Sequence, residues 1–180
     1  MTTTRSHDQI VDIARSLFAE RSYESVTVRE IACAAELSPA MVMKCVGSKE
    51  KLFAEAMTLS RDELPPDVPV DCLGEFLVQR IFDRWRDGAA EPSARAAVMV
   101  LARPETRTSV LEFVQDYVSD LARLLGTDQT ARTTAELVLA ALHGLAHSMA
   151  AFEIVRPTEA DVSALVGRYG AAVQSIIDSR

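Results

Sequence analysis

Two short segments of the chain carry residues that could take part in binding or catalysis. The first spans residues 37–51, where Lys44, Lys49 and Lys51 against Glu50 give a local charge of +2 in a chain of formal net charge -7. Ser48 and Lys49 stand at the predicted start of a helix, where free backbone N–H groups, the positive dipole end and an ammonium group suit a phosphate. The overall acidity argues against unspecific coating of nucleic acid but allows a localised contact.

The second segment contains a histidine pair, His143 and His147, whose i, i+4 spacing places both rings on one helix face. This spacing suits a metal, but the intervening residues lack the glutamate of the H-E-x-x-H motif, and the sequence indicates no third ligand. The sequence also lacks a Gly-rich phosphate loop and a G-x-S-x-G elbow. We therefore predict no catalytic residue, metal or cofactor. The alternative is a helical metal-dependent enzyme that uses the two histidines.

The elements that position the basic segment are predicted to be short helices. Apolar residues at helical spacing predict helices at residues 6–20, 27–36 and 39–45, and a fourth after residue 48. Capping boxes are predicted at Ser6 with Gln9 and at Thr27 with Glu30. Single serine N-caps are predicted at Ser38 and Ser48. Three short helices in about forty residues, the last two joined by residues 36–38, form a helix-turn-helix pattern.

The remainder of the sequence predicts a second, larger helical unit. Pro65, Pro66 and Pro69 forbid a continuous helix, which places the predicted boundary at residues 62–70 and gives domains 1–61 and 62–180. Further helices are predicted at residues 72–87, 93–103, 106–125, 128–154 and 158–178. The predicted fold class is all-α, with an N-terminal three-helix helix-turn-helix domain and a C-terminal helical domain.

Composition and cysteine usage narrow the class of protein. In the 180 residues no apolar stretch reaches the roughly 18 residues of a membrane span, and the N-terminus lacks the apolar core of a signal peptide. We therefore expect a cytoplasmic protein with no membrane partner. Cys33, Cys45 and Cys72 show no C-x-x-C spacing and are predicted to be free thiols. Cys33 is expected to be a small buried hydrophobe.

A set of residues in the first sixty positions has a recognisable order and spacing. They are Ile10, Ala14, Phe18, Tyr23, Thr27-Val28, Ile31-Ala32, Ser38 and Ser48-Lys49-Glu50-Lys51-Leu52. This set resembles the DNA-binding region of TetR-family transcriptional regulators. The resemblance implies a homodimer that binds double-stranded operator DNA through its N-terminal domains and a small-molecule effector through its C-terminal domains. Two positions depart from the pattern: Glu36 replaces the usual turn glycine, and Met43-Lys44-Cys45-Val46 replaces the usual Tyr-x-His-Phe.

The helix after Ser38 is the predicted recognition helix, because it is small enough to enter a major groove about 12 Å wide. Phosphate contacts are expected at the starts of the neighbouring helices. The predicted DNA-binding residues are Thr27, Arg29, Ser38, Pro39, Ala40, Met41, Met43, Lys44, Cys45, Ser48 and Lys49. Three alternatives stay open: the lysines are only solvated, Met41 packs inward, or the altered helix has lost operator binding.

Apolar side chains of the C-terminal domain could line a cavity that also holds a few polar groups. The candidate ligand-binding residues are Phe82, Trp85, Met99, Phe113, Tyr117, His143 and His147, and the alternative is that they only form core. Small residues in the last two helices permit close approach and agree with the four-helix-bundle dimer that the resemblance implies. The predicted function is a ligand-responsive regulator, of the repressor type, that an unknown effector releases from a pseudo-palindromic operator.

Overall fold

Helices make up the secondary structure of the described residues, as the sequence predicted. A computed structural model describes residues 2–57, 64, 68–86, 100 and 104–180, with side chains from residue 6 and, in the last segment, from residue 106. The α-helices are α1 Thr2–Glu20, α2 Val28–Ala34, α3 Pro39–Val46, α4 Lys49–Met57, α5 Leu73–Arg86, α6 Pro104–Leu125, α7 Gln129–Ala150 and α8 Val162–Asp178. A 3-10 turn at Val70–Cys72 precedes α5. Met99, and all but one residue of the helix predicted at 93–103, lie outside the described residues.

Three predicted helix ends are wrong. α1 begins at Thr2, so Ser6 lies inside the helix and cannot form the predicted capping box with Gln9. Residues 2–5 contain neither proline nor glycine, and nothing in them opposes an earlier start. α7 ends at Ala150, before the turn in which Glu153 adopts a left-handed φ of 49°. α8 begins at Val162, because a turn precedes it in which the Asp161 N–H donates to the Thr158 carbonyl at 2.9 Å.

The three predicted caps of the helix-turn-helix are confirmed. The Thr27 hydroxyl accepts a hydrogen bond from the backbone N–H of Glu30 at 3.2 Å, and the Glu30 carboxylate accepts one from the Thr27 N–H at 2.8 Å. Ser38 accepts from the third residue of α3 at 3.2 Å, and Ser48 accepts in the same way at the start of α4 at 3.1 Å. These side chains satisfy donors that a helix start leaves unpaired and so fix where each helix begins.

The turn between α2 and α3 contains a non-glycine residue in the left-handed region. Glu36 has a φ of 56°, and the N–H of Leu37 reaches back to the carbonyl of Ala32 at 2.9 Å. This is the hydrogen bond with which a left-handed residue ends a helix, a position that favours glycine. The departure from glycine at Glu36 therefore leaves the shape of the turn intact and costs some backbone strain.

The described helices form two hydrophobic cores. α1 to α4 enclose the first, in which the rings of Phe18, Tyr23 and Phe53 lie 5.0 to 5.9 Å apart. α5 to α8 enclose the second. α6 contributes to both, since Val110 is buried in the first core and Leu121 in the second. Because protein interiors are close-packed, a displacement of α6 would alter the packing of both cores.

α5 and α8 cross with their backbones in direct contact. A Cβ at Gly74 would lie 2.5 Å from the backbone nitrogen of Gln174, and a Cβ at Gly170 would lie 2.8 Å from the Cα of Glu75. The Gln174 side chain accepts from the Gly74 N–H at 2.9 Å and donates to the Val70 carbonyl at 3.0 Å. α8 thus satisfies backbone groups at the start of α5, and only glycine fits at the crossing point.

Candidate nucleic-acid interface

The outward face of α3 is exposed and carries the predicted reading residues. Val42 is fully buried and Val46 is 7% exposed, so these two residues attach α3 to the first core. On the other side Met41 is 47% and Met43 36% exposed. Pro39, Ala40 and Lys44 are also exposed, and Cys45 is half-buried. The alternative in which Met41 packs into the core is therefore wrong, and the face is available to a partner.

The start of α4 is held against the first core by a contact that the sequence did not indicate. The Lys49 ammonium donates to the Tyr23 carbonyl at 2.5 Å and lies 4.1 Å from the centre of the Tyr23 ring. The Tyr23 hydroxyl donates to Glu50 Oε1 at 3.0 Å. The pKa of Glu50 is lowered, first by a hydrogen bond from its own backbone N–H and further by hydrogen bonds from Ser48 and Tyr23. Lys49 therefore has a structural role, and its phosphate contact stays a prediction.

The start of α2 lies beside a second network of charged groups. Thr27 and Arg29 are exposed there. Arg21 donates to Glu30 Oε1 at 2.8 Å, and the Thr27 hydroxyl also donates to Glu30 Oε2 at 2.9 Å. These hydrogen bonds, that from Arg21 first, lower the pKa of Glu30 to about 2. The carboxylate is therefore ionised at neutral pH, and its capping role does not depend on pH in that range.

The prediction that Cys33 is buried is wrong. α2 has seven residues and buries Ile31 and Ala32, whereas Cys33 follows them on the exposed side. Helical periodicity allows a helix this short only a narrow buried stripe.

The predicted ligand-binding residues do not form one group. Phe82 and Tyr117 are buried in the second core, and Trp85 is half-buried and packs against that core. Phe113 packs instead against the first core, at the contact between α6 and the helix-turn-helix. Met99 lies outside the described residues. The structure therefore brings three candidates into one core and places Phe113 where the two units meet.

The histidine pair lies half-buried on α7. The rings of His143 and His147 are 6.5 Å apart, and Nδ1 of His147 donates to the His143 carbonyl at 2.8 Å. Since a carbonyl can only accept, that nitrogen carries a hydrogen and is not a metal ligand in this arrangement. Among the residues with described positions, no group of three potential metal-ligating side chains occurs.

None of the described helices is long and apolar enough to cross a membrane.

Nothing in the sequence marks Val110 as a functional candidate. Val110 is 4% exposed, and with Phe113 it packs the first half of α6 against the helix-turn-helix unit. The apolar pattern of α6 showed that the helix has a buried face, but periodicity does not say which neighbour covers each end.

Comparison with known proteins agrees with this geometry. A family profile described as "Bacterial regulatory proteins, tetR family" matches residues 10–56. A second profile, described as "Tetracyclin repressor-like, C-terminal domain", matches residues 71–177. No curated protein matches the chain significantly.

Several solved structures share the fold. A TetR-family regulator from Streptomyces coelicolor A3 is 27% identical, with 97% of this chain and 96% of that chain aligned at a TM-score of 0.59. The fatty acid degradation regulator FadR from Bacillus halodurans is 18% identical (93% and 94% aligned, TM-score 0.59). NalD from Pseudomonas aeruginosa, described as the secondary repressor of the MexAB-OprM multidrug efflux pump, is 18% identical (93% and 96%, TM-score 0.56).

The last two likenesses concern the fold alone, whereas the two family profiles together cover most of the chain. With a capped helix-turn-helix, an exposed third helix and a helical C-terminal unit, the chain belongs to the TetR family of DNA-binding transcriptional regulators.

Proposed function

We propose that the protein is a ligand-responsive repressor that binds a pseudo-palindromic operator as a homodimer. In this proposal residues 1–61 form the DNA-binding domain and residues 62–180 the effector-binding and dimerisation domain. We infer that it acts in the cytoplasm, because that is where a bacterial regulator meets its operator DNA. The observation that carries the proposal is the outward face of α3, where exposed side chains surround Lys44 on a helix that Val42 and Val46 attach to the first core.

The assigned DNA contacts follow from the positions of the helix starts. α3 enters the major groove, and the starts of α2 and α4 face the phosphates on either side of it. Thr27, Arg29, Ser48 and Lys49 lie at those starts. Arg29 supplies a guanidinium and Lys49 an ammonium group, whereas the Thr27 and Ser48 hydroxyls must exchange their hydrogen bonds to Glu30 and Glu50 for one to a phosphate. Each phosphate neutralised by a cation releases counterions, so binding should weaken steeply as salt increases.

A selection from random duplexes with the wild-type protein, followed by binding measurements on the enriched duplex, tests this function. Lys44→Ala should lower affinity and reduce the salt slope by about 0.9 per subunit, or about 1.8 for the dimer, if the lysine meets a phosphate. Arg123→Ala is the charge-matched control, because Arg123 is 66% exposed at the far end of α6. Failure to enrich any duplex with a folded protein would favour a homologue that has lost DNA binding.

The homodimer is supported by two glycines that the single subunit does not need. A Cβ at Gly144 of α7 or at Gly167 of α8 would meet nothing within 4 Å, and neither residue has a left-handed φ. Glycine inside a helix costs about 1 kcal/mol relative to alanine. Leu137, two turns before Gly144 on the same face, is 54% exposed. A partner subunit packed closely on this face would account for all three residues.

Analytical ultracentrifugation of the Gly144→Leu and Gly167→Leu variants tests the dimer. We expect a dimeric wild type and a higher monomer fraction in both variants, because a leucine side chain holds the two subunits apart. Asp116→Leu adds similar bulk at an exposed position of α6 and should leave the dimer unchanged. A monomeric wild type, or variants that dimerise as tightly as the wild type, would contradict the proposed interface.

The ligand response is supported by α6, which packs in both cores. A ligand among Phe82, Trp85 and Tyr117, with Met99, His143 and His147 as further candidates, would act on the second core. Phe113 and Val110 would transmit the displacement to the helix-turn-helix. The effector must bind the DNA-incompetent state more tightly, and a coupling of about 1 to 3 kcal/mol would weaken operator binding about 5- to 150-fold.

Trp85 provides the assay for the effector. It is the single tryptophan of the chain and packs against the second core, so its fluorescence reports ligand binding there directly. Small apolar compounds that change Trp85 emission should also release the selected duplex. Compounds that saturate the fluorescence change and leave duplex affinity unaltered would contradict the coupling.

A further inference from the structure

We propose that Met41 and Met43 read thymine methyl groups, so that each operator half-site carries thymines at the two positions that face these side chains. The inference rests on the proposed DNA-binding function of α3 and narrows the operator to a class of sequence. It concerns which base sequence the protein selects, whereas most of the binding free energy comes from the lysines and the helix starts.

The position of the two methionines on α3 gives them separate targets. Successive residues turn by about 100° around a helix, so Met41 and Met43 lie on opposite sides of the buried Val42. Ala40 and Lys44, four residues apart, form the middle of the outward face between them. When this face enters a major groove, the two thioether side chains extend toward its two sides.

The chemistry of the outward face limits what it can recognise. Base edges in the major groove offer donors, acceptors and one apolar group, the C5 methyl of thymine. A thioether has no donor and is only a weak acceptor, and the side chains of Pro39 and Ala40 cannot form hydrogen bonds. Lys44 is the only charged residue of α3, so it alone on this helix can make a charge-assisted hydrogen bond to a base. The two methionines match the remaining apolar group of the groove.

The exposure of these side chains agrees with contact by a partner. Met41 is 47% and Met43 36% exposed, so part of each side chain is free to lose water when a duplex binds. Methionine has three rotatable side-chain bonds and a polarisable sulfur, so it adapts to a methyl group without precise alignment. The free energy comes from the apolar surface removed from water, which makes each contact modest and additive.

Deoxyuridine differs from thymidine only by the missing C5 methyl and is therefore the probe. Duplexes enriched by the wild-type protein from a random pool are resynthesised with uracil in place of one thymine, at the same position of both half-sites. The thymine positions are tested one after another. We expect affinity to fall about fourfold for each methyl removed, and hence more than tenfold for the symmetric pair, at two positions per half-site. Uracil at the other thymines should leave affinity unchanged.

The variants assign each position to its methionine. Met41→Ala should abolish the uracil effect at one position and Met43→Ala at the other, while the corresponding leucine variants retain it. Both side chains are exposed, so these variants leave the core intact. Ile154→Ala, at a site 75% exposed outside α3, is the control and should keep both uracil effects.

The outcomes separate this inference from the proposed function. If no duplex is enriched, both the proposed DNA binding and the proposed methyl recognition are contradicted. If a duplex is enriched but uracil changes affinity less than twofold at every position, the methionines do not read methyl groups, although DNA binding stands. The same conclusion follows if the double variant Met41→Ala with Met43→Ala keeps the full uracil effect.

Discussion

Replacing Gly170 with alanine tests whether the crossing of α5 and α8 requires glycine. In an ordinary helix interior this change would raise the free energy of unfolding by about 1 kcal/mol. Here the new Cβ would lie 2.8 Å from the Cα and 3.2 Å from the backbone nitrogen of Glu75. These are backbone atoms, so the two helices must separate to relieve the clash.

The magnitude follows from three opposing effects. Overpacking of this kind costs about 1 to 3 kcal/mol. Separation of the helices also weakens the hydrogen bond from the Gly74 N–H to Gln174, which is 2.9 Å long, at a cost of about 1 kcal/mol. The higher helix propensity of alanine than of glycine offsets about 1 kcal/mol of these costs. We expect Gly170→Ala to lower the free energy of unfolding by about 1 to 3 kcal/mol.

Urea unfolding followed by circular dichroism measures this difference. The subunit concentration is held constant, because the stability of a dimer depends on it, and an unchanged m-value shows that the variant unfolds from a similar structure. Ala172→Gly is the matched control, since Ala172 is exposed on the same helix, away from the face of Gly167, and the variant should show only the propensity loss of about 1 kcal/mol. A Gly170→Ala variant as stable as the wild type, or more stable, would refute the reasoning.

Three further predictions concern the helix-turn-helix unit and its contact with α6. Thr27→Ala removes the N-cap of α2 and should lower stability by about 1 kcal/mol in thermal unfolding. The pKa of Glu30 is lowered from 4.5 to about 2, so its stabilising effect is complete above pH 4.5 and is lost as the pH falls toward 2; wild type and Glu30→Gln should therefore converge in acid urea titrations. Val110→Ala removes a side chain that is 4% exposed and should cost about 2 kcal/mol in urea unfolding at neutral pH.

Each of these measurements has a result that contradicts the structure. A Thr27→Ala variant with the wild-type melting temperature would mean that its hydroxyl does not cap α2. A stability difference between wild type and Glu30→Gln that stays constant between pH 5 and 2 would mean that the carboxylate is not held in its charged form. A Val110→Ala variant with unchanged stability would mean that α6 does not pack on the first core.

Local signals in the sequence determined most of the described helices and the starts of α2, α3 and α4. Apolar spacing of 3.6 residues identifies a helix wherever it is sustained, and the Thr27 and Ser38 caps act within three residues of their own positions. Such features depend only on near neighbours in the chain, so they could be predicted. The helix-turn-helix, the all-α class and the exposed face of α3 follow from them. The predicted start of α1 is too late, because residues 2–4 are threonines and Ser6 is also an N-cap former, so local chemistry does not select one start among them.

The tertiary structure alone decided which helices meet and which surfaces remain uncovered. The hydrogen bond from Lys49 to the Tyr23 carbonyl, the crossing of α5 and α8 at Gly74 and Gly170, and the contact of Val110 with the first core join residues distant in sequence. The identity of a glycine or a valine does not tell whether another part of the chain lies 3 Å from it or whether it faces open space. These assignments depend on the arrangement of whole helices, and for that reason the sequence by itself could not supply them.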